Sequence, residues 1–372
     1  MNGSRRPPGN FVLAAVFIAT TAAAVTFAAA VGAAELKKIA EITIPGEKLV
    51  SFDISFIDQK TQRYYFADRS NKSVDIFDTK TNKFIGRVGG LVGAVMKADG
   101  TCCNNAKSGP NGVLAIGNEV WAGDGDSTIK VIDLKTMKIV DSVPTGGKLR
   151  ANEMTYDPKD QIFIIGNQND EPPFTTMVST KPGHKIVGKV TFPDATDGNE
   201  QPTYNPADGL VYQSIPELKK DETKGAVAVM NPRTATLVKM LPVDNCNPAG
   251  LAFGPKGNFV LGCNADGDKM PAIITIMNAK TGKVVANIPD IGGADMVNYN
   301  KKNNQYYIAA RALKGGPVLG VIDAGTNKLV QKIAITGGNP HSVASSEANG
   351  HVFVPVGASN GGCGCIQVYA LQ

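Results

Sequence analysis

One pattern returns along the chain and limits what it can fold into. "VDIFDTKTNKFIGRV" (74–88) is followed by "IKVIDLKTMKIVDSV" (129–143), "VAVMNPRTATLVKML" (227–241), "ITIMNAKTGKVVANI" (274–288) and "LGVIDAGTNKLVQKI" (319–333). A degenerate copy, "TMVSTKPGHKIVGKV", lies at 176–190. Each copy is an alternating β-branched run, a polar turn centred on Asp or Asn and Thr, and a second β-branched run, which reads as a hairpin. The turn residues Asp78, Asp133, Ser179, Asn231, Asn278 and Asp323 lie 55, 46, 52, 47 and 45 residues apart. A repeat of that length made of short strands points to a propeller and away from a βαβ fold.

Weaker strand pairs fill the intervals: "EMTYDPKDQIFIIGN" (153–167), "PTYNPADGLVYQS" (202–214), "PAGLAFGPKGNFVLGCN" (248–264) and "MVNYNKKNNQYYIAA" (296–310). Four strands per repeat make one blade. Six full repeats end at Val88, Val143, Val190, Leu241, Ile288 and Ile333; a seventh begins at "PHSVASSEANGHVFVPV" and stops one strand short at "CIQVYA" (365–370). The segment "LKKIAEITI" (36–44) is a strand without a blade. The expected fold is therefore all-β, a seven-bladed propeller of four-stranded blades. Its ring is closed by the N-terminal strand joining the last blade, which removes the remaining open sheet edge. The 41 Gly and 22 Pro supply the many turns that this requires.

Residues 1–34 read as a signal peptide, and residues 35–372 as a single propeller domain. "MNGSRRPPGN" is a positive n-region, and the apolar run that follows ends in small residues at Ala34. The run is also long enough to span a bilayer, so an uncleaved anchor is the alternative, and a membrane partner is expected only in that case. The expected location is periplasmic or secreted. A net charge of +5 with no dense Lys/Arg run excludes a nucleic-acid footprint.

With "IKVIDLKTMKIVDSVPTGG" and "GVIDAGTNKLVQKIAITGGNPHSVA" in view, the chain resembles the YVTN-type β-propeller family over most of residues 45–370. The resemblance is weakest in blades 2 and 3. It is specific for fold and poor for function, because the fold hosts lactone hydrolases and electron-transfer subunits alike.

Strand direction places the loop entering each inner strand on the same face as the loop between its second and third strands. The entry column reads Phe52, Gly112, Asn152, Glu200, Ala249, Asp295 and His341. Adjacent positions add Asp53, Glu153 and Gln201, and the preceding turns carry Asn111, Asn247 and Asn339. Further along the inner strands an aromatic column holds Phe56, Tyr156, Tyr204, Phe253 and Tyr299. Asn152, Glu200, Asp295 and His341 form the candidate ligand or metal set. Two carboxylates and an amide suit Ca²⁺, and adding the imidazole suits Zn²⁺. The alternative is that these groups cap strand ends and hold channel water.

Six cysteines in an exported chain read first as disulfides. Cys246 and Cys263 sit symmetrically about Pro255-Lys256-Gly257 and are expected to bridge a hairpin, for about 3 kcal/mol. Cys102 and Cys103, with Cys363 and Cys365, would tie a long loop across blade 1, or hold a soft metal as thiolates. No haem-attachment motif or phosphate loop is present.

These features support an exported protein that binds a small ligand, a metal ion or a periplasmic protein on the face carrying the cysteines and His341. One alternative is a metal-assisted, lactonase-like hydrolase with His341 or Glu153 as general base. Another is an accessory subunit of a periplasmic redox enzyme.

Overall fold

The hairpin pattern sets two kinds of strand. Middle strands such as Arg63–Asp68, Ile162–Asn167 and Asn258–Cys263 are apolar almost throughout and buried along nearly their whole length. Outer strands such as Lys328–Ala334 alternate exposed and half-buried positions. The first kind packs against neighbouring sheets on both faces, and the second has one face in water.

A computed structural model describes residues 1–6, 8–9, 35–265 and 267–372. Residues Glu35–Gln372 contain seven antiparallel sheets of four strands each. Blade 1 runs outward from Ser55–Asp58 through Arg63–Asp68 and Ser73–Asp78 to Lys83–Gly89. Blades 2 to 6 repeat this order behind the inner strands Val113–Ile116, Met154–Asp157, Pro202–Asn205, Pro248–Phe253 and Ala294–Asn300. Blade 7 takes Ala344–Ser345, Val352–Val356 and Cys365–Leu371, and its outermost strand is Leu36–Thr43.

The ring therefore closes through the N-terminal strand, in a register running from Leu36 opposite Leu371 to Thr43 opposite Cys365. Gln331 of blade 6 locks this strand by accepting from the Leu36 N–H at 2.9 Å and donating to its carbonyl at 3.0 Å. The expected seven blades and their closure are both present.

The recurrent turn has a physical cause. Asp78 Oδ1 accepts from the backbone N–H of Lys80 and Thr81 and from the Thr81 hydroxyl. Asp133 does the same with Lys135 and Thr136, and Asp323 accepts from the N–H and hydroxyl of Thr326. Each turn ends in a left-handed residue, Asn82, Met137 and Asn327 at φ 53°, 55° and 56°. Beyond it the pairing slips by one residue, between Ile76 and Phe77 in blade 1 and at the matching place in blades 2 to 6. Such bulges sharpen the twist of each outer hairpin.

The structure corrects part of the cysteine reading. Cys246 and Cys263 pair across the first hairpin of blade 5, with an S–S distance of 2.04 Å. Cys102, however, pairs with Cys103, and Cys363 with Cys365. The long loop is folded on itself by paired bridges between Gly93 and Gly109 and by Met96 opposite Cys102, which holds its sulfurs near the axis. Cys365 pairs instead with Thr43 on the strand that closes the ring. The tie across blade 1 does not form, and neither does a four-cysteine soft-metal cluster.

The signal-peptide or anchor segment falls almost wholly outside the described residues. Among the described residues no helix is long and apolar enough to cross a membrane.

Candidate functional site

The loops entering the inner strands converge on a cavity of about 710 Å³ at one end of the channel. Phe52, Asn152, Glu200, Asp295 and His341 of the entry column line it, with Asp53, Glu153 and Asn339 beside them. Gly112 and Ala249 do not: Gly112 lines a second cavity further along the channel, and Ala249 is buried in its strand. Gly250 shows why the column is tight: a Cβ there would sit 2.4 Å from the Asp295 carbonyl oxygen. The missing side chain lets the blade 6 entry come close to blade 5 and brings Asp295 to the axis.

At the floor of the cavity, carboxylate oxygens of Glu153, Glu200 and Asp295 all lie within 4.8 Å of one another. Arg311 Nη1 pairs with Asp295 Oδ2 at 2.7 Å. The Gln168 amide donates to Glu200 Oε1, and Asn152 Nδ2 donates to Gln168 Oε1 at 2.9 Å. Two oxygens remain without a partner although their residues are at least nine-tenths buried, Glu153 Oε2 and Asn152 Oδ1. A buried polar atom left unpaired is costly.

Like charges this close cannot all ionise without help. Burial pushes the Glu153 carboxyl well above the usual carboxylate range, and the charges of Glu200, Asp295 and Asp53 push it further. Glu200 rises to about 7, through burial first and Asp295 second, against the pull of Arg150 and Arg311. Burial and mutual repulsion therefore favour the protonated forms of Glu153 and Glu200 over the free carboxylates.

A second charged group stands beside it. Asp53 receives Arg69 Nη2, and Arg150 Nη1 lies 3.4 Å from the same oxygen. Burial opposes the charge on Asp53, but Arg69, His341 and Arg150 outweigh it and hold the group at about 2. On Arg69 burial wins instead, lowering it to about 10 despite Asp53.

His341 belongs to this second group. Its Nδ1 meets the Asn339 carbonyl oxygen at 2.8 Å, its Nε2 faces Asp53 Oδ1 at 3.3 Å, and its ring stacks on Phe52 at 4.5 Å. The Asn339 amide nitrogen also lies 3.3 Å from Nδ1, so both ring nitrogens are engaged within this second group. The expected set thus divides. Asn152, Glu200 and Asp295 stay together with Glu153, while His341 turns to Asp53.

Arg69, Gln168 and Arg311 escaped the sequence reading. Each follows directly after the second strand of its blade, behind Asp68, Asn167 and Ala310. The strand-direction argument already placed those loops on this face, so a second column read there would have found them.

The opposite stretch of the channel differs. A cavity of about 430 Å³ is lined by Phe56, Tyr204, Phe253 and Tyr299 from the aromatic column, and Glu153 borders both cavities. Tyr156 is not among its lining residues. Comparison with known proteins gives no kinship: no family model matches the chain, and no curated protein matches it.

Proposed function

We propose that the protein is an exported propeller of the YVTN type that binds a hard divalent cation, Ca²⁺, at the mouth of its channel. The observation that carries this reading is the buried trio Glu153, Glu200 and Asp295 with two unpartnered oxygens, Glu153 Oε2 and Asn152 Oδ1. The donor set is all oxygen, which suits Ca²⁺ and not Zn²⁺, whose sites favour nitrogen and sulfur. Glu153, Glu200 and Asp295 would ligate the ion and Asn152 would add its amide oxygen. Gln168 holds Glu200 in place, and Arg311 orients Asp295. Paired cysteines and the apolar run before residue 35 support export into an oxidising compartment.

A binding role is favoured over a hydrolase because both candidate general bases are committed elsewhere: His341 engages Asn339 through Nδ1 and Asp53 through Nε2, and Glu153 serves the ion in this reading.

Calorimetry with CaCl₂ above pH 7, where Glu200 is ionised, tests the proposal. One ion per chain is expected, with Glu153→Gln weakening it at least about tenfold, a loss of about 1.4 kcal/mol. Folded protein that takes up no Ca²⁺ at millimolar concentration would remove the reading. Ca²⁺-dependent turnover on a panel of lactones would replace it with the hydrolase.

A further inference from the structure

We propose that the cation at the channel mouth anchors an organic carboxylate, whose oxygens complete the ion's shell and pair with Arg311. This rests on the Ca²⁺ reading above and goes beyond it by naming the ligand class.

Four cationic side chains line the mouth, Arg69, Lys97, Arg150 and Arg311, against five carboxylates, Asp53, Glu153, Asp197, Glu200 and Asp295. The lining is therefore close to neutral as it stands. A divalent ion makes it net positive, so the group that joins the ion must bring negative charge.

Arg69 is 4% exposed and committed to Asp53, Asn111 and the Pro110 carbonyl. Arg150 is committed to Asn169, Gln168 and Asp53. Arg311 differs, because it holds Asp295 through Nη1 and its side chain remains 32% exposed in the cavity. A guanidinium engaged on one edge keeps its other donors available for a second carboxylate, in the two-pronged geometry that arginine favours. Lys97 stands exposed on the same wall as a longer-range attraction.

The cavity of about 710 Å³ lies in the size range of small-molecule sites. Its rim carries the amides of Asn105, Asn169, Asn264 and Asn339, which suit a polar ligand body.

The test uses glycolate, with glycolamide as its uncharged counterpart, titrated into Ca²⁺-loaded full-length mature protein. Glycolate should bind at least about tenfold more tightly than glycolamide. Arg311→Gln should move the two ligands in opposite directions: glycolate weakens about tenfold, while Ca²⁺ tightens because Asp295 loses its competing cation. A merely structural arginine would weaken both. Lys97→Gln, at an exposed position, should weaken glycolate about threefold and leave the fold intact.

Protein that binds Ca²⁺ but prefers neither probe, or loses both together in Arg311→Gln, overturns this inference and leaves the cation reading standing. Protein that binds no Ca²⁺ overturns both.

Discussion

The two ends of the channel are built from the same seven strands and have little else in common. At the entry end, the starts of the inner strands and the loops near them supply charged side chains, with Asp53, Glu153, Glu200 and Asp295 alongside Arg69, Arg150 and Arg311. A few residues further along the same strands the wall becomes Phe56, Tyr204, Phe253 and Tyr299. The aromatic end is secured by packing within and between blades: Phe253 meets Tyr212 edge-on at 5.2 Å and Phe259 at 5.7 Å. The charged end is secured by ion pairs and hydrogen bonds, including one where His341 of the last blade meets Asp53 of the first, 288 residues apart in sequence. One end can exchange an aromatic residue and lose area. The other cannot lose a partner without stranding a charge.

The sharpest way to break this contrast is Asp53→Ala. It leaves Arg69 buried without its counter-charge, and unfolding in denaturant should show a loss of about 3–5 kcal/mol. A loss below about 1 kcal/mol would mean that water reaches Arg69 and that the charged end is softer than its geometry indicates.

At the aromatic end, Phe253→Ala should cost less, about 2 kcal/mol, because the ring is only part-buried and its neighbours can settle. Ca²⁺ affinity should be unchanged in this variant. If it fell as well, the two ends would be mechanically coupled through Glu153, which borders both.

The smallest expected effect is on pH dependence without added metal. Folding raises Glu200 from 4.5 to about 7, so between those values the folded chain holds more protons than the unfolded one. Stability therefore falls as pH rises through that window, and Glu153 acts in the same direction. Asp53 has the opposite sign: its contribution is full above 3.8 and is lost as pH falls towards about 2. Glu200→Gln should flatten the decline between pH 4.5 and 7 relative to the parent chain, as read from denaturation midpoints. An unaltered slope would show that Glu200 does not take up a proton in that window.

Much of this was legible in the residues. Asp78, Asp133 and Asp323 accept the same turn hydrogen bonds that their spacing suggested, because that chemistry is local to three or four residues. Asn152, Glu200, Asp295 and His341 reached one cavity because strand entry repeats with the blade. Two finer pairings were not legible, for a common reason. His341 was grouped with Asn152, Glu200 and Asp295; it lines their cavity but pairs with Asp53, one position along in the neighbouring column. Cys102 and Cys363 were set on one face and each found a nearer sulfur, because sharing a face does not fix distance from the axis.

The sequence by itself determined the blade, the number of blades and the strand that seals them, since alternation and turn chemistry are properties of neighbouring residues. Only the tertiary structure decided which carboxylate faces an arginine, which faces another carboxylate and which oxygens are left unpaired. Those outcomes depend on ångström-scale distances between side chains that arrive from different blades, and electrostatic energy in a buried site changes steeply over such distances.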